Sequence, residues 1–383
     1  MVHCGYLAGS RIRRTRLLTV GGVIRQFAPA FFEHYQDELW VDERRALQAI
    51  LQCRTEVLGG HEFGCGCGHR HYAYHSCNHR LCPGCGSEET QAWVDKQLGK
   101  LLPVNYFMVT FTLPSQLRWL MRSDREALNL LLSCSAKALT DLLGDAKRCG
   151  FRRSGFFGVY HSWKQDMGFH PHVHYLVPAV GLDAKGHVKH LHQPKFLVHG
   201  QALAMRLRTL LSNALYEGGL IEEALFWKLV KMDWNTSVDA AGSGENAVKY
   251  FGQYVSRSVI SDSRLDSLAG DMVKIRVKNR DTGEFELREM SGVEFVRRFL
   301  QHALPSGFHR IRYRGFLHAR GKKTLELLQF ALKARLPKGK KETVEKPREV
   351  CCPHCGKAMV RMGQLARAPP RRRNRDFFQR VAR

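Results

Sequence analysis

Residues 168–177, GFHPHVHYLV, are the stretch that decides the fold. His172 and His174 are two residues apart, and side chains on a strand alternate between its two faces, so both imidazoles would point the same way. Val173, Tyr175 and the aliphatic residues that follow favour a strand over a helix. The pattern predicts a buried strand that presents two ligands to one metal ion. The pair alone also permits ordinary histidines, because the chain contains 19 of them.

A second informative stretch is residues 249–257, KYFGQYVSR. Tyr250 and Tyr254 are four residues apart, and positions i and i+4 share one face of a helix. We therefore predict a helix that presents two phenols side by side. A stacked aromatic pair in a core would have the same spacing, so this alternative stays open.

The composition indicates a polyanionic partner. The 383 residues include 60 Lys and Arg against 35 Asp and Glu, which leaves a formal net charge of +25. Nucleic acid is the first candidate for such a basic chain. A membrane role is disfavoured because there is no run of 18 apolar residues, and the N-terminus does not resemble a signal peptide. We expect a soluble protein of the cytoplasm.

A cluster of cysteines predicts a structural zinc site near the N-terminus. Cys82-Pro-Gly-Cys85 has the spacing of a zinc knuckle, in which a tight turn lets two thiolates reach one tetrahedral ion. We predict Cys65, Cys67, Cys82 and Cys85 as the four zinc ligands, with Cys77 in reserve. In a reducing compartment, thiolate ligation is favoured over disulfides. The alternative is a set of reduced cysteines without metal.

A second knuckle lies near the C-terminus, where Cys351, Cys352 and Cys355 surround a Pro-His pair. One knuckle without a visible partner pair is a weak metal signal. We interpret it as half of a site that other residues would complete.

Apolar spacing and turn residues predict the order of the elements. Helices are predicted at about 31–58, 88–102, 124–147, 201–217 and 293–304, and a further helix begins at about 245. Strands are predicted at 106–113, 155–164, 168–177 and near 226–232. A hairpin is predicted at 271–290 and turns at 281–283. The order β-α-β-β-α-β is that of a ferredoxin-like split βαβ unit. We therefore predict an α+β fold, an antiparallel sheet with helices on one face.

The same features predict five regions. They are a basic, poorly ordered N-terminus (1–29), a helical lead-in with the zinc-binding domain (30–102), a catalytic domain (103–262), an appended hairpin and helical region (263–336), and a basic tail with the second knuckle (337–383).

In combination, these motifs resemble one family. A His-x-His strand with Val173 at its centre, a later Tyr-x3-Tyr helix, the segment HSWKQ at 161–165 and the segment LPSGFHRIR at 304–312 are similar to two-tyrosine HUH transposases of rolling-circle-type bacterial insertion sequences. The resemblance covers roughly residues 30 to 335 and includes the N-terminal zinc-binding domain. It implies a nuclease that cuts single-stranded DNA, in a bacterial, nucleoid-associated protein.

The resemblance also implies roles for individual residues. Tyr250 and Tyr254 would be the nucleophiles, each forming a 5′-phosphotyrosine and a free 3′-OH. His172 and His174 would hold a catalytic Mg²⁺ or Mn²⁺, and such ions require an oxygen ligand in addition. Gln165 is the candidate for that ligand, favoured by the resemblance over Asp166 and His161. A surface glutamine without a role is the alternative.

The expected partners are single-stranded or hairpin transposon ends and target DNA, and the oligomeric state stays open. One rival is a zinc-dependent DNA-binding regulator without catalysis, which explains the charge and the cysteines equally well. Another is a replication initiator or relaxase with the same chemistry. The zinc domain and residues 304–312 favour a transposase, and the chain contains no helicase P-loop of the form GxxxxGK[ST].

Overall fold

The computed structural model describes residues 18–85, 87–255, 259–279, 282–334 and 349–368. Its helices are α1 (Val20–Tyr35), α2 (Val41–Gln52), α3 (Ser87–Leu98), α4 (Arg118–Ser123), α5 (Arg125–Gly144), α6 (Gly200–Glu217), α7 (Glu223–Lys231), α8 (Glu245–Val255), α9 (Gly292–Leu300) and α10 (Lys322–Ala331). Its strands are β1 (Gly60–Gly64), β2 (Arg70–Tyr74), β3 (Tyr106–Thr112), β4 (Gly155–Trp163), β5 (Phe169–Pro178), β6 (Val180–Leu182), β7 (Val188–His190), β8 (Asn235–Ala240), β9 (Leu265–Ala269), β10 (Met272–Lys278), β11 (Phe285–Ser291), β12 (Ile311–Gly315) and β13 (Val360–Leu365).

The centre of the protein is a five-stranded antiparallel sheet in the order β12-β4-β5-β3-β8. Four of its strands are connected as β3-α5-β4-β5-α6-β8, which is the split βαβ order. The predicted α+β class and antiparallel sheet are confirmed. β12 adds a fifth strand beside β4, where the sequence pattern predicted none.

One predicted strand is wrong. Residues 226–231 belong to helix α7, which Met232 caps, and the edge strand is β8. Leu225, Phe226 and Leu229 have helical spacing and pack against the core that α6 covers. A short apolar run fits both the two-residue period of a strand and the 3.6-residue period of a helix. Here the helix places these side chains on the face that packs against the core.

The alternation of β5 separates the two faces of the sheet. Val173, Tyr175 and Val177 point into a core that also holds the leucine stripe of α5 and the inner face of α6. The Asp124 side chain begins α5 by accepting a hydrogen bond from the backbone N–H of Ala127 at 2.7 Å. On the opposite face α3, α8 and α10 contribute side chains to a second core, so helices cover both faces.

Tyr175 ties β5 to its neighbours. Its hydroxyl hydrogen-bonds the Ser135 hydroxyl at 2.8 Å, and its ring packs edge-on against Phe111 and Phe156. Gly158 lies opposite Tyr175 in the β4–β5 register, and a Cβ there would be 2.3 Å from a ring carbon. The ring therefore occupies the space that any side chain at residue 158 would need.

The N-terminal helix begins earlier than predicted. Residues 1–29 were expected to be poorly ordered, but α1 begins at Val20, and the Thr19 hydroxyl caps it by accepting from the Gly22 N–H at 3.0 Å. Its apolar face packs on α9, where Phe295 and Phe299 are fully buried. Apolar burial thus orders residues 20–29, while residues 1–17 lie outside the described part of the chain.

The predicted hairpin and helix near residue 290 are present as β10, β11 and α9, and β9 extends the hairpin to three strands. Asp281 of its predicted turn lies outside the described residues. A further sheet has the order β13-β1-β2, so a C-terminal strand pairs with the N-terminal hairpin. Among the described helices, none has the length and apolar character that a membrane crossing requires.

Replacing Gly158 with alanine should destabilise the sheet without changing any polar group. The added methyl group overlaps the Tyr175 ring, and overpacking of this kind costs about 1–3 kcal/mol of unfolding free energy. Thermal unfolding followed by circular dichroism measures the change. Gly363→Ala is the matched control, because a Cβ at this strand glycine meets no atom within 4 Å. Equal midpoints for the two variants would show that the ring does not occupy this space.

Candidate active site and cysteine clusters

Three histidines meet on the face of the sheet opposite Tyr175. His161 comes from β4, His172 and His174 come from β5, and one ring nitrogen from each lies within 4.8 Å of the others. The β4–β5 register places His161 directly opposite His172. All three side chains are buried. Neighbouring strands therefore bring together a set of imidazoles that could hold one divalent ion.

Hydrogen bonds orient two of the rings. Nδ1 of His172 lies 2.6 Å from the His170 carbonyl oxygen, which can only accept, so this nitrogen carries the proton. In the neutral ring, Nε2 then keeps its lone pair. Nδ1 of His174 is joined to the Thr110 hydroxyl at 2.8 Å. Contacts of this kind set the orientation of metal-binding imidazoles in proteins.

Burial also favours the metal-binding form of His161. Burial, followed by the proximity of His174 and His172, holds the pKa of His161 well below its usual value. A neutral imidazole is the form that binds metals, and a protonated one is not. His161 is thus neutral at physiological pH.

Tyr250 of α8 lies over these histidines. Its ring centroid is 6.1 Å from that of His174, nearly perpendicular to it, and 6.5 Å from that of His161. The helix is held on the sheet by Val248 and Phe251, which are fully buried. Tyr254 lies in the same helix, but its side chain is outside the described part of the structure.

A cavity of about 560 Å³ opens beside the histidines and Tyr250. Two basic residues, Lys164 and Arg264, line it, as do the polar residues Asn235, Ser237 and Asp239 of β8. The cavity therefore offers positive charge and hydrogen-bonding groups next to the imidazoles. A phosphate group would be complementary to this lining.

Gln165 lies on the same cavity but is not packed among the imidazoles. It occupies the exposed turn between β4 and β5, where its backbone carbonyl accepts a hydrogen bond from Arg264. Its role as third metal ligand stays a prediction. The Asp166 carboxylate is turned back onto the Gly168 N–H at 3.0 Å. His161, which sequence reasoning ranked below Gln165, is the residue that the structure groups with His172 and His174.

The donor set favours some ions over others. Within the described residues the group consists of imidazoles alone, and the carboxylate that lines the cavity, that of Asp239, belongs to another strand, β8. Imidazole suits Fe, Ni, Cu and Zn best. Mn²⁺ and Mg²⁺ both prefer oxygen ligands, but Mn²⁺, itself a transition-metal ion, accepts imidazole more readily than Mg²⁺ does. Of the two expected ions, Mn²⁺ therefore fits these residues better than Mg²⁺.

The cysteines form two groups, which corrects the predicted single set. Cys53, Cys77, Cys82 and Cys85 form the first cluster, with sulfur–sulfur distances of 3.5 Å for Cys53–Cys85 and 3.7 Å for Cys77–Cys85. Cys53, at the end of α2, was not predicted as a ligand, because the Gly59-Gly60 pair separates it in sequence from the other cysteines. Cys77, predicted as the reserve ligand, is a full member.

Cys65 and Cys67 lie elsewhere, in a second cluster with Cys352 and Cys355. The reason is the β1–β2 hairpin. Cys65 and Cys67 occupy its turn, whereas the loop with Cys77 follows its open end. Five-residue strands separate the two ends by about 16 Å, so no single ion can reach both.

Thiol ionisation in the first cluster is uneven. Burial raises the pKa of Cys53 to about 11, while a hydrogen bond from Cys82 is the main cause that lowers the pKa of Cys77 to about 5. The hydrogen bond from Cys82 therefore favours the thiolate form of Cys77, and a bound cation would favour loss of the protons from all four thiols.

Comparison with known proteins identifies related chains. The sequence matches a family model described as "Transposase zinc-binding domain" over residues 23–113 and one described as "Putative transposase" over residues 155–324. The "Putative transposase y4qJ" of Sinorhizobium fredii is 34% identical over 319 residues, which cover 78% of this chain and 80% of that protein. The "Transposase for insertion sequence element IS801" of Pseudomonas savastanoi pv. phaseolicola is 31% identical over 296 residues, which cover 72% of this chain and 70% of that protein. No solved structure matches.

The matched regions contain the histidine site and the first cysteine cluster. The whole first cysteine cluster lies in the zinc-binding region, and the three histidines and Tyr250 lie in the other. Cys352 and Cys355 lie outside both.

Replacing Thr110 with valine should weaken binding of a divalent ion while keeping the volume of the side chain. The hydroxyl orients His174, and loss of such a contact typically reduces metal affinity by about 10-fold to 100-fold. Calorimetric titration with Mn²⁺ measures the affinity. Thr112→Val removes a hydroxyl two residues along the same strand and leaves the Thr110–His174 contact in place. An unchanged affinity for Thr110→Val, or an equal loss in both variants, would contradict this role.

Proposed function

This chain belongs to the transposases of bacterial insertion sequences that carry an N-terminal zinc-binding domain, and from that premise we propose that it nicks and rejoins single-stranded DNA at transposon ends through a phosphotyrosine. The observation that carries the proposal is the position of Tyr250. Its ring contacts His174 and His161 at the edge of a cavity that basic side chains line. A nucleophile and a metal-binding group thus face the same space.

Each group of the chain has a part in cutting. His161, His172 and His174 would hold the divalent ion, Mn²⁺ in the first instance, with Gln165 as a further ligand from the turn. When bound, the ion supplies positive charge that stabilises the phosphate oxygens as charge develops on them. Lys164 and Arg264 line the cavity on the side of the β4–β5 turn and would bind the neighbouring phosphates of the strand.

The reaction exchanges one phosphate ester for another. The Tyr250 oxygen attacks phosphorus and forms a new bond, and the bond from phosphorus to the 3′ oxygen breaks. The phenol loses one proton and the 3′ oxygen gains one, so a free 3′-OH is released. Lys249, adjacent on α8, would favour the phenolate. Because the phosphate ester is conserved, the 3′-OH of another strand can reverse the step and rejoin DNA without ATP.

Two tyrosines would allow the protein to hold two DNA strands covalently at the same time. Tyr250 and Tyr254 differ by about one helical turn, near 5.4 Å along the axis. Both phenols therefore cannot be in line with one phosphate beside one ion. They would act on successive junctions, as a rolling-circle scheme requires.

The zinc-binding domain would contribute to folding and DNA binding rather than to the chemistry. Its first cluster has four thiols, so a tetrahedral ion there would have no open position for a substrate. The basic charge of the chain, +25, supports phosphate contacts over a wide surface. The two relatives named as transposases favour this function over a replication initiator, a relaxase or a regulator without catalysis.

The tyrosines are tested by replacing each with phenylalanine. With sequential roles, Tyr250→Phe and Tyr254→Phe each retain a covalent adduct with a labelled single-stranded transposon end, yet both fail in complete transposition. The double variant forms no adduct. Denaturing gel electrophoresis measures the adduct, and Tyr216→Phe, on the exposed side of α6, is the control that should keep both activities.

Other outcomes have defined meanings. A double variant that still forms the adduct would exclude both tyrosines from the reaction. If one single variant abolishes cutting and the other transposes normally, the second tyrosine is structural. Equal cutting of a relaxed, blunt duplex would contradict the preference for single strands, since we expect a base to leave the duplex before its phosphate can reach Tyr250.

A further inference from the structure

The second cysteine cluster joins two parts of the chain that are far apart in sequence. Cys65 and Cys67 lie in the turn of the β1–β2 hairpin, and Cys352 and Cys355 lie nearly 290 residues later, before β13. The four sulfur atoms lie within 4.8 Å of one another. No matched family region includes the C-terminal pair.

The spacing of the sulfur atoms suits a metal ion. Sγ of Cys65 is 3.4 Å from that of Cys355, and Sγ of Cys67 is 3.7 Å from that of Cys352. Four thiolates around a tetrahedral zinc ion, each about 2.3 Å from it, are about 3.8 Å apart. A disulfide would bring two sulfurs to about 2.05 Å. The cluster therefore has the dimensions of a zinc site and not of two disulfides.

Both halves have the local geometry of a knuckle. In the first, the Gly68 N–H donates to the Cys65 carbonyl at 2.9 Å, and Gly68 has a φ of 86°. In the second, the Gly356 N–H donates to the Cys352 carbonyl at 2.8 Å, and Gly356 has a φ of 71°. Each glycine permits the left-handed backbone that closes the turn. Two turns, each closed at a glycine, thus contribute the four sulfurs.

Apolar burial contributes little to the attachment of the C-terminal segment. β13 pairs with β1 from Gly60↔Leu365 to Gly64↔Val360. Its side chains remain largely in solvent, with Val360 69% and Met362 65% exposed. A short strand held by backbone hydrogen bonds alone is marginal in water. Another interaction must therefore stabilise the segment. The four sulfur atoms lie next to the end of the β1–β13 pairing at which β13 begins.

We propose that Cys65, Cys67, Cys352 and Cys355 bind a second zinc ion, which holds residues 349–368 against the N-terminal zinc-binding domain. The four thiols lose their protons on binding, and zinc undergoes no redox change. The ion fixes β13 on the edge of the hairpin, so β1 gains a partner on both sides. Residues 349–368 therefore complete the N-terminal zinc-binding domain. This inference holds whichever reaction the histidine site performs.

The first test is the zinc content of the full chain. Replacing Cys352 and Cys355 together with serine should remove one equivalent of zinc, measured by mass spectrometry of the metal, and leave the first cluster loaded. Cys134→Ser, a buried cysteine of α5 outside both clusters, is the matched control and should lose none. No loss of zinc from the double variant would overturn the proposal.

Thiol protection tests the unmodified chain, so the proposal does not depend on the folding of a variant. Cys67 and Cys355 are exposed and would otherwise react readily with N-ethylmaleimide. We expect both to resist labelling until a chelator is added, and hydrogen exchange at residues 60–64 and 360–365 to rise together at that point. Rapid labelling of Cys67 and Cys355 in the zinc-loaded chain would refute the site.

Discussion

The antiparallel register of β4, β5 and β3 is the constraint on which the rest of the structure depends. It places His161 opposite His172 and His174 opposite Thr110, all on one face. On the other face the same register seats the Tyr175 ring over Gly158. A slip of one residue would turn the imidazoles into the apolar core and expose the valines of β5. The packing that stabilises the sheet therefore also brings the three imidazoles together.

The protein separates two kinds of metal-binding group by their surroundings. Each cysteine cluster offers four thiols, and such a complete ligand set leaves no position for substrate. The histidines instead border a cavity that Tyr250, Lys164 and Arg264 share. The proposed structural and catalytic roles would thus fall on different elements. The zinc-binding domain would then stabilise the chain without taking part in the reaction.

Local periodicity predicted those features that depend on neighbours in sequence. The period of two placed His172 and His174 on one face, and the leucine stripe predicted α5 to within a few residues. Pairings across the chain were not accessible in this way. Cys65 meets Cys355 only because β13 returns to β1, and His161 reaches His172 only through the hairpin register. For residues 226–232 the apolar run fitted both periods, and tertiary packing selected the helix.

The central claim is that His161, His172 and His174 bind one catalytic ion as a group. Pulsed electron paramagnetic resonance of the Mn²⁺-loaded protein, with histidine labelled by ¹⁵N, counts the imidazole nitrogens that coordinate the ion. The structure predicts three coordinated nitrogens, with the loss of one in His161→Ala. A spectrum without histidine coupling, or one that His161→Ala leaves unchanged, would contradict the site described here.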